Sequence, residues 1–105
     1  MTRMPVSAEE QKKIKEEVEA LEKELKPDVV RIRYTIEEDY MGDWSIEFRI
    51  LLADRATTRR RLGTVTQKVR GLLRDRIRPW DLGLIMYWSY RGASEQAELK
   101  DPEWE

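Results

Sequence analysis

Two stretches of alternating apolar and polar residues, separated by an acidic turn, constrain the fold of this chain more than any other feature. The apolar positions of the first stretch are Val30, Ile32, Tyr34 and Ile36, and those of the second are Trp44, Ile46, Phe48, Ile50 and Leu52. Alternation places successive side chains on opposite faces, so each stretch predicts a half-buried β-strand. Gly42 in the turn can supply positive φ, and the pair therefore predicts an antiparallel hairpin in which Arg33 faces Glu47.

Two amphipathic helices are predicted to cover the apolar face of this hairpin. Ser7-Ala8-Glu9-Glu10 is a capping-box pattern, and Pro27 ends the helix that follows it. The apolar stripe of this first helix is Ile14, Val18, Leu21 and Leu25. The second helix is predicted over residues 57–78, with Thr57 or Thr58 as its cap. Its apolar face is Leu62, Val65, Val69, Leu72, Leu73 and Ile77.

A third strand is predicted over residues 82–90, which are apolar on both faces, so the elements follow the order α-β-β-α-β. The crossover through the second helix makes the third strand parallel to the second. The third strand can lie beside the first strand, giving the order 3-1-2, or beside the second, and we expect the order 3-1-2. The predicted fold class is α+β, a two-layer sandwich with a three-stranded mixed sheet and two helices on one face.

The 105 residues are predicted to form a single domain with one core. Residues 1–6 are expected to be a flexible lead-in, and residues 92–105 an acidic C-terminal tail in which Ser94 caps a short helical turn. Trp104 in this tail has two interpretations. It packs back onto its own domain together with Leu99, or it docks a partner, since tryptophan is common at binding hot spots.

Cysteine and histidine are both absent from the chain. Their absence removes disulfides, thiolate nucleophiles, the commonest general base and the commonest zinc ligand. The glycines are scattered and form no phosphate-binding loop, and no apolar run approaches the roughly 20 residues of a membrane span. We therefore expect no catalytic residues, no cofactor, no metal site, no membrane association and a cytoplasmic location.

The acidic turn leaves one enzymatic alternative open. Glu37, Glu38, Asp39 and Asp43 cluster there, and carboxylate oxygens are the ligands that Mg²⁺ and Ca²⁺ prefer. The spacing of an EF-hand loop is missing, and acidic residues with glycine are typical of solvated turns. A solvated turn is the favoured interpretation, and a metal-dependent hydrolase built on Glu38, Asp39 and Asp43 is the least favoured function.

Charge is distributed very unevenly along the chain. Residues 55–78 contain eight arginines and Lys68 against a single acid, Asp75, for a net charge of +8. The other 81 residues sum to −9, so the near-neutral total of −1 conceals a strongly dipolar molecule. This asymmetry is the main functional clue in the sequence.

The exposed side of the basic helix and the acidic tail supply the candidate binding residues. On a helical wheel, Arg60, Arg74 and Arg78 lie opposite the apolar face. Lys68 and Arg70 lie on its flanks, and Trp104 lies in the tail. The basic ridge can neutralise phosphates of RNA or DNA, with Tyr87, Trp88 and Tyr90 available for stacking. It can equally bind an acidic protein or remain solvated.

Two segments of the chain carry a family resemblance. The first segment contains Glu38-Asp39, Gly42-Asp43-Trp44 and the strand end 50–54. The second segment is residues 89–97. They resemble small uncharacterised bacterial proteins encoded beside HEPN-domain proteins. The resemblance covers about a third of the chain and implies a two-gene, toxin–antitoxin-like module in which the small protein binds its partner. The active-site motif of the nucleotidyltransferases that accompany HEPN proteins is missing, so no AMP transfer follows.

The sequence thus favours a small non-enzymatic protein-binding or regulatory module, the antitoxin-like half of a two-gene pair. The expected partner is a protein, and the resemblance points to a HEPN-domain protein. The alternative is an RNA- or DNA-binding module that uses the arginine-rich helix 57–78. A homodimer also stays open.

Overall fold

The computed structural model describes residues 3–105, in which three helices and three strands follow one another. They are α1 (Ala8–Glu24), β1 (Val29–Glu38), β2 (Trp44–Leu52), α2 (Leu62–Ile77), β3 (Ile85–Gly92) and α3 (Ala93–Leu99). Short 3₁₀ helices occupy Asp54–Ala56, Pro79–Leu82 and Pro102–Trp104. The predicted α-β-β-α-β order is confirmed, and α3 lies where a short helical turn was expected in the C-terminal tail. Within residues 3–105, no helix is long and apolar enough to cross a bilayer.

The three strands form a mixed sheet in the order β1-β2-β3, so the expected order 3-1-2 is wrong. β1 pairs antiparallel with β2, and β3 pairs parallel with β2, as the crossover argument predicted. The physical reason for the order lies in the burial of the strands. β2 buries six of its nine residues and suits the centre. β1 carries Arg31, Arg33, Glu37 and Glu38, which reach solvent more easily at an edge.

Helices α1 and α2 pack their apolar stripes against the sheet in one core. The capping box of α1 is formed, with the Ser7 hydroxyl accepting from the Glu10 N–H at 3.1 Å and the Glu10 carboxylate accepting from the Ser7 N–H at 3.0 Å. The core joins buried residues of both helices to those of β2, namely Ile14, Val18, Leu21, Val65, Val69, Leu73, Ile77, Ile46, Phe48, Ile50 and Leu52. This packing confirms most of the predicted apolar faces of the two helices and of the second strand, but Leu62 of the predicted face is 39% exposed because it lies at the first position of α2.

The lead-in expected over residues 1–6 is partly built into this core. Val6 is buried and Met4 packs against the cluster, while residues 1 and 2 lie outside the described residues. Gly83, which has a φ of +74°, closely approaches Pro5 in the same lead-in. The first residues of the described chain therefore contribute to folding.

Helix α2 begins at Leu62, five residues later than predicted, and neither threonine caps it. The Thr57 hydroxyl instead donates to the Asp54 carbonyl oxygen at 2.8 Å, which stabilises the 3₁₀ turn after β2. Arg61 is the residue that precedes the helix, without a capping side-chain bond. Arg60 therefore lies in a turn, outside the helical ridge on which the wheel placed it.

The register of the hairpin differs from the predicted one. From Glu38↔Trp44 at the turn to Arg31↔Leu51 it is continuous, and it places Arg33 opposite Arg49 instead of Glu47, which corrects the predicted charge pair. A shift between Val29 and Arg31 then leaves Val29 buried and Val30 exposed. Two like charges opposite each other destabilise a sheet unless other groups compensate them. The carboxylates of Glu47 and Glu22 supply part of this compensation, and backbone oxygens of the C-terminal residues accept hydrogen bonds from both arginines.

Candidate binding surface

Strand β3 is an edge of the sheet whose outer side has no strand partner within residues 3–105. Residues 85–90 contain no charged side chain and no proline. Natural edge strands are usually protected by charges, prolines or bulges. The opposite edge, β1, has both charged residues and a bulge. β3 is therefore the unprotected edge of this sheet and the side at which another chain can add.

A groove of about 290 Å³ lies beside β3, between this strand and the end of α2. Its lining includes Arg70, Arg74, Trp80, Ile85, Met86 and Trp88. The Arg70 guanidinium lies over the indole of Trp88, with its Cζ 5.0 Å from the ring centroid. Trp80 is 81% exposed and Trp88 is 41% exposed. The groove combines an apolar floor, two accessible indoles and cations at its rim.

The basic residues predicted to form one ridge are separated in the structure. Arg78 pairs with Asp81 at 2.8 Å, and Arg74 pairs with Asp75 at 3.2 Å. Arg60 precedes α2, more than three helical turns from Arg74. In the described part of the chain, the basic residues of segment 55–78 without a carboxylate in ion-pair contact are Arg59, Arg60, Lys68 and Arg70.

Other arginines of the basic segment are neutralised by acidic residues distant in the sequence. Arg61 donates to both oxygens of the Asp28 carboxylate, at 2.9 and 2.8 Å. These hydrogen bonds, together with the positive charges nearby, lower the pKa of Asp28 below its usual value. Arg76 bridges to Glu17 at 3.2 Å and also binds Glu24, both on α1. Many basic side chains of this segment therefore pair with carboxylates within the folded chain. Among the basic residues without such a partner, Arg70 lies nearest β3.

The acidic turn is organised by hydrogen bonds around Asp39. Its Oδ1 accepts from the N–H groups of Met41 and Asp43 at 2.9 and 3.0 Å, and its Oδ2 accepts from the Tyr87 hydroxyl at 3.0 Å. Partial burial acts to raise the pKa of Asp39, but these hydrogen bonds outweigh it and the pKa is lowered. Among the described residues, no three acidic side chains converge as metal ligands would. The hydrogen bond from the Tyr87 hydroxyl to Asp39 therefore connects the turn to β3.

The two segments that carry the resemblance meet in space. The Asp54 carboxylate accepts from the Ser94 N–H at 3.0 Å and from the Ser94 hydroxyl, and these bonds lower the pKa of Asp54. Ser94 therefore does not cap the C-terminal helix, which begins after Gly92 instead. A side chain at Gly92 would come within 3.3 Å of the Thr57 methyl group. Asp54, Ser94 and Gly92 hold β3 and α3 against the turn after β2.

A second surface, which the sequence did not suggest, lies on the face of the sheet opposite the α1–α2 core. Strand alternation and register place four arginines there around the buried Leu51: Arg31, Arg33, Arg49 and Arg91. We call these five residues the arginine cradle. The available signal was the spacing of Arg31, Arg33 and Arg49 on one face of the predicted hairpin. The sequence could not show that Arg91 joins them, because that depends on the register of β3.

Residues 101–105 lie in the arginine cradle. Arg49 Nε donates to the Glu103 backbone oxygen and Arg33 Nε donates to the Glu105 backbone oxygen, each at 2.8 Å. The Arg91 guanidinium lies over the Trp104 ring at 4.3 Å, and Trp104 is only 7% exposed. The structure thus shows Trp104 packed on its own domain, while Leu99 stays 56% exposed and takes no part.

A scan against protein-family models and searches of curated proteins and of solved structures found no match to this chain. The resemblance to proteins encoded beside HEPN-domain proteins therefore stays a prediction. The chemistry available for a functional assignment is that of the chain itself: an open strand edge, an aromatic groove and a cation at its rim.

Proposed function

We propose that this chain is a small non-enzymatic module that binds an extended, acidic segment of a partner protein along the outer edge of β3. The observation that carries the proposal is the contrast between the two sheet edges. β1 is charged and bulged, whereas β3 is aromatic and open. A peptide that adds to such an edge gains main-chain hydrogen bonds, and pockets beside the edge select its side chains.

The groove beside β3 defines the chemistry of that partner segment. Its apolar floor suits an apolar side chain that alternates toward α2, and the accessible indoles of Trp80 and Trp88 suit close packing. Arg70 has no carboxylate partner among the described residues and faces this groove. An acidic residue in the partner segment would complement it. A regulatory, antitoxin-like role with a HEPN-domain protein as partner is the setting that the resemblance suggests.

Site-specific photo-crosslinking tests this interface in the full chain. A photoreactive phenylalanine analogue at Trp88 is expected to capture the partner when the protein is made at its natural level. The same analogue at Tyr40, which is 93% exposed on the hairpin turn, serves as the matched control. Equal capture from both positions, or capture of only a second copy of the chain, would reject the proposed interface.

The captured partner is then titrated against charge-reversal variants. Arg70→Glu is expected to weaken binding at least tenfold, because it places a negative charge beside an acidic segment. Arg60→Glu makes the same charge change at an unpaired arginine that does not line the groove, and its affinity is expected to stay within about twofold. If the two variants lose affinity equally, the effect is long-range and the groove is not the site.

Single-stranded nucleic acid is the second candidate ligand, favoured by the stacked pair of Arg70 and Trp88 beside the exposed Trp80. Stacking aromatics next to cations form binding platforms for bases and phosphates. Fluorescence anisotropy with mixed-sequence oligonucleotides at 50 and 200 mM salt tests this. A nucleic-acid site predicts weaker binding at the higher salt concentration and a loss with Trp80→Ala. Binding that is insensitive to salt would exclude it.

A further inference from the structure

The arginine cradle is built around an anionic occupant. Arg33 and Arg49 lie directly opposite each other, with Arg31 and Arg91 beside them on the same face. The carboxylates that reach this pair from elsewhere in the described domain are Glu47, 3.5 Å from Arg49, and Glu22, 3.9 Å from Arg33. Four neighbouring cations repel one another unless acidic groups lie over them. An acidic ligand is therefore complementary to this face.

The contacts of residues 101–105 show what kind of ligand fits the cradle. Two hydrogen bonds reach backbone oxygens, those of Glu103 and Glu105, which any peptide can offer. Selectivity comes from side chains. Trp104 stacks on Arg91, and acidic groups of Asp101 and Glu105 lie 3.4 Å from Arg91 and 3.5 Å from Arg31. The matching ligand is a short acidic peptide segment with a tryptophan.

The backbone conformation of Lys100, which joins α3 to residues 101–105, influences how firmly these residues dock in the cradle. Lys100 has a φ of +53°, the left-handed conformation that residues other than glycine adopt at a cost. Its N–H donates to the Gln96 carbonyl oxygen at 2.8 Å, so this conformation ends α3 and turns the chain back. A change at Lys100 alters how firmly residues 101–105 dock without touching the cradle.

We propose that the arginine cradle is a docking site for an acidic, tryptophan-bearing segment of a partner protein, and that residues 101–105 occupy it as an internal competitor. The charge of the four arginines and the stacking position on Arg91 define the ligand. This proposal concerns a different face of the sheet, because the cradle takes only Arg91 from β3 and shares no residue with the lining of the groove. Partner binding at the cradle would release residues 101–105.

A labelled peptide tests the proposal with the full chain. The probe is the fluorescein-labelled hexapeptide Lys-Asp-Pro-Glu-Trp-Glu, and fluorescence anisotropy measures its binding. A tethered competitor acts at an effective concentration in the millimolar range, so Trp104→Ala is expected to tighten peptide binding about tenfold over the wild type. Tyr40→Ala removes an exposed aromatic residue of the hairpin turn, outside both the cradle and the groove, and is expected to change nothing. Equal affinity of Trp104→Ala and the wild type would overturn the proposal.

Two further comparisons keep the test independent of any loss of stability in Trp104→Ala. Lys100→Val disfavours the left-handed conformation and is expected to bind the peptide at least threefold more tightly, whereas Lys100→Gly is expected to bind it more weakly than the wild type. Adding Arg91→Ala to Trp104→Ala should abolish binding. Arg60→Ala, which removes an unpaired arginine outside both the cradle and the groove, should not. The reverse order of the Lys100 variants, or binding that survives Arg91→Ala, would overturn the proposal.

Exchange of residues 101–105 between two copies is the competing occupancy. It predicts a doubled mass for the wild type in light scattering, lost in Trp104→Ala. That result would replace the partner segment by a second copy and overturn the proposal. A monomeric wild type that binds the peptide supports it.

Discussion

Gly92 is the residue at which β3, α3 and the turn after β2 come closest together. Its backbone conformation is one that alanine adopts easily, but an added Cβ would lie 3.3 Å from the Thr57 methyl group. Thr57 cannot easily move, because its hydroxyl is bonded to the Asp54 carbonyl oxygen and the Asp54 carboxylate is bonded to Ser94. Close packing at this point therefore requires glycine.

Gly92→Ala is expected to lower the free energy of unfolding by about 1 kcal/mol, because the added methyl group overpacks this contact. Urea denaturation measures the change as a lower transition midpoint. Thr57→Ser removes the opposing methyl group and keeps the hydroxyl. The double variant Thr57→Ser with Gly92→Ala should recover most of the loss relative to Thr57→Ser alone. Purely additive effects of the two changes would contradict the steric explanation.

The contact between Asp28 and Arg61 predicts that the stability of the fold depends on pH. Its pKa is lowered in the folded state by hydrogen bonds from Arg61. A carboxyl of this kind stabilises the fold above its unfolded pKa of about 3.9, and the contribution disappears as the pH falls through the lower folded pKa. Asp28→Asn is therefore expected to reduce the melting temperature at pH 7 and to differ little from the wild type near pH 2.

Asp75→Asn is the matched control for this measurement. Asp75 also lies 3.2 Å from an arginine, but its side chain is 69% exposed and the contact is between adjacent residues. Exposed ion pairs contribute little to stability, so we expect a small change at both pH values. A pH dependence of the same size in both variants would show that the general loss of a negative charge, and not the Asp28–Arg61 contact, is responsible.

Helix α2 is destabilised by a glycine that nothing in the packing requires. An added Cβ at Gly71 would come no closer than 3.8 Å to the neighbouring Arg74 guanidinium. Gly71→Ala is therefore expected to raise the free energy of unfolding by about 1 kcal/mol and the melting temperature by about 4–8 °C. Gly83→Ala, at a φ of +74° and close to Pro5, should lower stability by about 1 kcal/mol instead. An equal effect of both changes would contradict this conformational argument.

The ends of the elements show where local sequence signals stop being sufficient. The start of α1 was predictable because its capping box involves residues three positions apart. The start of α2 was not, because Thr57, a suitable cap by residue type, is used in the turn after β2. The third strand begins at Ile85 and not at Leu82 because Pro79–Leu82 forms a 3₁₀ turn closed by Gly83. An apolar run alone does not distinguish these conformations.

In the folded molecule, many of the basic and acidic residues that are far apart in the sequence contact each other. Arg76 of the basic segment contacts Glu17 and Glu24 of the acidic first helix, and Arg61 contacts Asp28. The acidic C-terminal residues lie on arginines of the sheet. The dipolar sequence thus becomes a set of paired regions, with unpaired cations near β3 and in the turn before α2.

Arg76→Ala is expected to lower the free energy of unfolding by about 0.5–1 kcal/mol, since it removes a contact to two carboxylates. The loss should shrink when the salt concentration rises from 0.05 to 0.5 M, because salt screens partly exposed ion pairs. Arg60→Ala, at an unpaired arginine, should leave stability unchanged. Thermal melting of the three proteins at both salt concentrations gives the comparison. A loss for Arg76→Ala that does not depend on salt would indicate packing of its aliphatic stem instead.

The helices and strands, most of their apolar faces and the parallel relation of β2 and β3 could be predicted from the sequence. These features follow from periodicity, caps and chain connectivity, all of which act between residues close in the sequence. The strand order, the partners of the arginines and the position of Trp104 could not be predicted in this way and are known only from the folded structure. Each of these depends on contacts between distant residues, such as Asp28 with Arg61 and Arg91 with Trp104, whose energies are realised only after the sheet has formed.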